Sequence, residues 1–96
     1  MALIALALLD ESYPRQLSRL LKKPVSGVQV ALAGLEKDGL VTGRFAGRTR
    51  LYQLNPRYFA LAELRPYLAR LAEAETELRR RIDSLRQRPR RAGKRL

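Results

Sequence analysis

The sequence predicts a mainly α-helical chain with one small β-hairpin, an α+β fold ending in a long helix. Three observations carry this. Apolar residues recur at helical spacing through most of the chain, with Val28, Ala31, Leu32 and Leu35 the clearest set. Two short β-prone runs, Leu40–Phe45 and Arg48–Leu54, flank Ala46-Gly47 and read as a hairpin closed by Asn55-Pro56. Downstream, Leu61, Leu64, Leu68, Leu71, Leu78, Ile82 and Leu85 alternate in steps of three and four, with only Glu75 breaking the rule.

Each element has a local reason. Ala2–Leu9 is apolar on every side, so as a helix it must be enclosed. The run is too short to span a bilayer, lacks a basic segment before it and ends in Asp10-Glu11. It therefore reads as a buried helix rather than a targeting segment, in a soluble, cytoplasmic protein. Pro14 suits the first position of a second helix, in which Leu17, Leu20 and Leu21 face inward and Arg15 and Arg19 outward. Lys22-Lys23-Pro24 ends it. Ser26 is the expected N-cap of a third helix that stops at Gly39. From about Tyr58 a continuous helix is expected, kinked at Pro66 or restarted there, and beyond Gln87 the periodicity is lost. The expected organisation is one domain over residues 1–59, a coiled-coil dimerisation helix over 60–87 and a basic, disordered tail over 88–96.

The composition narrows the chemistry. With neither Cys nor His among 96 residues, thiol nucleophiles, His bases, disulfides and His- or Cys-ligated metals are excluded. The serines lack a partner base, and no glycine-rich phosphate loop of the strand–GxxxxGK type occurs. Neither an enzyme nor a cofactor is expected. The formal net charge is +11, but it is unevenly spread: residues 1–59 carry +5, residues 60–78 carry −2 and residues 79–96 carry +8. Such a chain favours polyanions.

The motifs of residues 2–59 resemble a known family. Tyr13 to Leu21 looks like a first motif helix. Ser26-Gly27-Val28-Gln29 with Leu32, Leu35, Glu36, Gly39, Leu40 and Val41 looks like a recognition helix and its exit. Gly47-Arg48-Thr49-Arg50-Leu51-Tyr52-Gln53-Leu54-Asn55-Pro56 looks like a wing and its return strand. Together they resemble the winged helix-turn-helix of small ArsR- or PadR-like bacterial regulators, and the winged-helix modules that accompany minimal nucleotidyltransferases. The resemblance implies a fold, a double-stranded DNA partner and homodimerisation through terminal helices.

The residues themselves suit DNA. An α-helix fits the major groove, where base edges differ in donors, acceptors and methyl groups. The outward face of the third helix carries Ser26, Gly27, Gln29, Val30, Ala33 and Lys37. Gln29 can pair with an adenine edge, Val30 and Ala33 can meet thymine methyls, and Ser26 with the helix start can hold a phosphate. Arg15, Arg19, Lys22 and Lys23 lie where the second helix would cross the backbone, and Arg48 and Arg50 suit phosphate or the minor groove. The middle of the third helix departs from the family in having Val30, Ala33 and Gly34 in place of Arg or Lys.

The expected function is thus a homodimeric, sequence-specific transcriptional regulator with no membrane association. The alternatives are a low-specificity architectural DNA-binding protein and an adaptor whose apolar helix face docks a protein partner. The heptad stripe would extend ~36 Å as a straight helix, longer than a core of some sixty residues would cover, so it is assigned to a partner helix. A parallel pair would stack Glu75 on its mate and bring Arg81 toward Arg86, so an antiparallel or splayed pair is expected.

Overall fold

The computed structural model describes the backbone of residues 1–94 and the side chains of residues 1–86. Five helices surround a three-stranded antiparallel sheet, in the order α1 (Ala2–Leu9), β1 (Glu11–Ser12), α2 (Pro14–Leu21), α3 (Val25–Lys37), β2 (Val41–Ala46), β3 (Thr49–Leu54), α4 (Leu61–Ala72) and α5 (Thr76–Lys94). β3 lies between β1 and β2. Glu11 pairs with Gln53 and Ser12 with Tyr52, while Gly43 also faces Tyr52 and Phe45 faces Arg50.

The apolar first helix is enclosed as its composition requires. Ala5 and Leu6 have no solvent exposure, and α1 packs against α4, β3, α5, α2 and α3. Leu17 and Leu20 of α2, Val28 and Leu32 of α3, and Val41, Tyr52 and Leu54 of the sheet complete the core around it. Helix α2 begins with Pro14 as its first residue, as expected. It ends with Lys22 in the left-handed region at φ 58°, the turn that redirects the chain into α3.

Helix α3 ends as the sequence suggests. Gly39 has φ 81°, Leu40 donates to the Leu35 carbonyl at 2.9 Å and Gly39 donates to that of Glu36 at 3.0 Å. This paired closure satisfies two carbonyls that a helix end would otherwise leave free. Its start differs from expectation. Pro24 is the N-cap and Ser26 lies inside the first turn, with no side-chain cap. Strand β1 has no counterpart in the sequence reading, because two residues carry no periodicity.

The C-terminal region requires the largest correction. The continuous helix expected over 60–87 is two helices, separated by a turn at Glu73, Ala74 and Glu75. No helix restarts at Pro66, which sits within α4, five residues after its first residue Leu61. The fold at 73–75 brings the stripe back onto the protomer. Leu68, Leu78 and Ile82 belong to the core, and Leu61, Leu64 and Leu85 pack against it half-buried. Leu71 is the most exposed of the seven expected dimerisation residues, at 39%. Bent at 73–75, the stripe no longer outruns the core, so its length by itself does not call for a partner helix.

Arg81 and Arg86 also have other work than interhelical repulsion. Arg81 donates to the Leu20 carbonyl at 2.7 Å, and Arg86 donates to that of Leu8, so α5 supplies cations to the C-terminal ends of α2 and α1. The tail expected over 88–96 overlaps the end of α5 as far as Lys94, and Arg95 and Leu96 lie outside the described residues. No helix among the described residues is long and apolar enough to cross a membrane.

Candidate nucleic-acid interface

Two elements and a turn bring the basic side chains together. With Val28 and Leu32 turned into the core, helical spacing leaves Ser26, Gly27, Gln29, Val30, Ala33 and Lys37 exposed on the other side of α3. Arg15 and Arg19 are exposed on α2, and Lys22 and Lys23 are exposed in the α2–α3 turn. The hairpin turn presents Arg48 beside Gly47, whose φ of 65° suits a tight two-residue connection.

A cleft of about 410 Å³ opens where these elements meet. Tyr13, Pro14 and Arg15 from the start of α2 form one wall, Val25 and Gln29 of α3 another, and Arg48, Thr49 and Arg50 of the hairpin the third. Three guanidinium side chains line it and no carboxylate does. Neither α2 nor α3 has a side-chain cap at its start, so the N–H groups after Pro14, which has none itself, and those of the first turn of α3 are not taken by a cap and can face an anion. Among the described residues Arg15, Arg19, Lys22, Lys23, Lys37 and Arg48 make no ion pair.

Arg50 is different. Its guanidinium donates to the Glu36 carboxylate at 2.8 Å and lies 5.0 Å from the Phe45 ring centre and 5.5 Å from that of Tyr52. The Tyr52 hydroxyl first, and then the Glu36 carboxylate, push its pKa above the ordinary arginine value, outweighing its partial burial. Arg50 therefore stays charged, but it is spent largely on fastening the hairpin to α3. Its path runs over Gly43, where a Cβ would stand 2.8 Å from the Arg50 Nε. Of the two wing arginines named from the sequence, Arg48 is the free one.

Sequence reasoning overlooked Glu36 and Gly43 as partners of Arg50, and Phe45 as an exposed aromatic on the hairpin, 66% accessible. It read Asn55 only as a turn residue that closes the hairpin, whereas its side chain donates to the Gly39 carbonyl at 2.9 Å and accepts from the Arg57 N–H at 3.0 Å. The bond to Gly39, with that from the Asn55 N–H to the Leu40 carbonyl at 2.9 Å, ties the end of β3 to the exit of α3 and so fixes the hairpin beside the helix. Arg44 is occupied on the opposite sheet face, reaching past β3 to Glu11 at 3.0 Å. Among the described residues no group of three or more acidic side chains is placed to hold a metal ion.

The exposed surface is thus a basic frame around a weakly polar helix face. Its cations suit phosphate oxygens, and its helix face offers one amide, at Gln29, among small and apolar side chains. The chain matches no protein-family model, no curated protein and no solved structure.

Proposed function

We propose that the protein binds double-stranded DNA as a winged-helix transcriptional regulator and acts as a homodimer. The observation that carries this is the cleft among α2, α3 and the hairpin, framed by arginines from two of those elements and free of carboxylates. The element order α1-β1-α2-α3-β2-β3, with β3 central in the sheet, is the winged-helix order and supports the reading. In this arrangement α3 enters the major groove. Arg15 and the open starts of α2 and α3 meet the phosphates, while Arg48 follows the backbone or minor groove.

Phosphate contacts displace condensed counterions, so binding must weaken steeply with salt. With on the order of 6–10 such contacts per dimer, affinity for duplex DNA falls roughly 10³–10⁵-fold between 50 and 200 mM salt. Fluorescence anisotropy on labelled duplexes at several salt concentrations measures this. An affinity that does not change with salt, or no binding at 50 mM, overturns the proposal.

One feature of α3 favours a second reading, an architectural protein of low sequence specificity. Val30 is 72% exposed in the middle of the helix, beside Ala33 and Gly34, where a base-reading cation would be expected. Selecting bound duplexes from a random pool separates the two. An enriched site several orders of magnitude above bulk DNA supports a regulator, and a ratio near one supports the architectural role.

A further inference from the structure

The stripe that looked like a dimer seam is used inside the protomer, yet another face of α4 remains uncovered. Phe59, just before the helix, is 91% exposed, Tyr67 61% and Leu71 39%, and Pro66 between them is exposed as well. At 100° per residue Pro66 and Tyr67 lie on the side of α4 away from Leu68 and Ala72, Leu71 lies at the edge between them and Leu68, and Phe59 is exposed just before the helix. The charged residues on this side are Glu63, Arg70 and, at the end of the helix, Glu73, with Glu63 and Arg70 spaced either side of Pro66-Tyr67. Large apolar residues gathered on one face mark an interaction surface.

From this arrangement we infer that α4 pairs with the α4 of a second copy, antiparallel, about a two-fold axis passing between Pro66 and Tyr67. A two-fold contact must be complementary to itself, so residues equidistant from the axis face each other. Glu63 and Arg70 each lie about 5 Å along the helix from that axis. Each Glu63 then meets the Arg70 of the other copy, while Tyr67 covers the other copy's Pro66 at the centre. A parallel pairing would instead set Glu63 on Glu63. Arg70 is free to change partners, because its Glu73 contact is 3.9 Å long between two well-exposed side chains.

Charge on the larger scale points to the same occupant. Two chains of net charge +11 repel each other, and residues 60–78 are the stretch with a net negative charge. A meeting there keeps the basic surfaces apart, and at about 0.15 M salt a Debye length near 8 Å screens much of what remains. The inference deepens the dimeric part of the proposed function and rests on it only there. It is tested without DNA, so a regulator that fails to bind DNA and a protein that fails to pair at α4 give separate results.

Sedimentation equilibrium of the full chain from 1 to 200 µM is the experiment. The wild type shows a concentration-dependent monomer–dimer equilibrium. Glu63→Arg and Arg70→Glu each weaken it about tenfold, since two symmetry-related pairs turn repulsive at once. The double reversal Glu63→Arg/Arg70→Glu returns the constant to within about threefold of wild type, a rescue that general stickiness does not produce. Both side chains are exposed, and circular dichroism verifies that each variant remains folded. A wild type that stays monomeric throughout, or a double variant no better than the singles, overturns the inference.

Discussion

Arg50 on β3 donates to Glu36 in the last turn of α3 at 2.8 Å, and so joins the hairpin to the helix it flanks. The pair is about a third exposed on each side, which limits its contribution to stability to roughly 1 kcal/mol or less. Its larger effect is on the direction in which Arg50 points. Glu36→Gln should lower the unfolding free energy by no more than that amount while freeing a cation and removing a carboxylate near the interface. Duplex affinity at low salt then rises, and the slope of log affinity against log salt steepens by about one. Unchanged DNA binding would show that Arg50 does not reach the nucleic acid even when released.

Gly43→Ala tests the same latch from the sheet. The added Cβ would meet the Arg50 Nε at 2.8 Å and its terminal nitrogen at 3.0 Å, so the flexible guanidinium must move and the Glu36 contact is lost. The two substitutions should therefore be non-additive, with the double variant no less stable than Gly43→Ala by more than a few tenths of a kcal/mol. Denaturant midpoints of the four proteins measure it.

Arg48→Ala and Gln29→Ala should separate affinity from selectivity. Arg48, exposed at the hairpin turn, makes no ion pair among the described residues, so its removal weakens binding about equally on every duplex and lowers the salt slope by about one. Gln29 is the amide on the exposed face of α3, and its loss costs about 1–3 kcal/mol on a preferred site with little change on random DNA. Anisotropy titrations on both kinds of duplex decide between them.

Substituting the heptad leucines should unfold the protomer rather than split a dimer. Leu78 is 2% exposed in the core, so Leu78→Ala costs about 2–5 kcal/mol of stability. Leu71→Ala, at a half-open position, costs less than half as much. Thermal melts of the two variants check the ordering, and equal losses would mean that α5 does not pack as described.

Arg81→Met should loosen α2. The guanidinium donates to the Leu20 carbonyl at 2.7 Å and lies 3.7 Å from the Glu77 carboxylate in a solvent-screened pair of little worth, so a side chain of similar length removes chiefly the hydrogen bond. The expected loss is about 1–2 kcal/mol, with amide exchange accelerating in α2 more than in α3.

Much of the fold was legible because its signals are local. The uniform apolarity of Ala2–Leu9, Pro14 at a helix start, Gly39 at a helix end and the β-prone runs about Gly47 each report on a few neighbouring residues. The exposed basic residues of α2, its turn and α3 followed from helical phase once the buried face was known. What escaped detection was non-local. The turn at Glu73–Glu75 keeps the three-four rhythm running from Leu71 to Leu78, so periodicity passes through a bend without registering it. Glu75 at an otherwise apolar position was the one mark of that bend, and it reads equally as a polar layer in a straight coil. Arg50 and Glu36 are fourteen residues apart, and only the folded hairpin shows that the cation is engaged.

The arginines of α5 bear on how the chain is made. The hydrogen bond from Arg86 to Leu8 spans 78 residues, and that from Arg81 to Leu20 spans 61. Leu78 and Ile82 of α5 help to enclose α1, so this most apolar segment emerges from the ribosome well before the helix that completes its cover. During synthesis Ala2–Leu9 stays partly open to chaperones or to misassociation until α5 has emerged. A nascent chain cut at the 73–75 turn would carry every basic residue of the candidate interface and still lack the helix that closes its core.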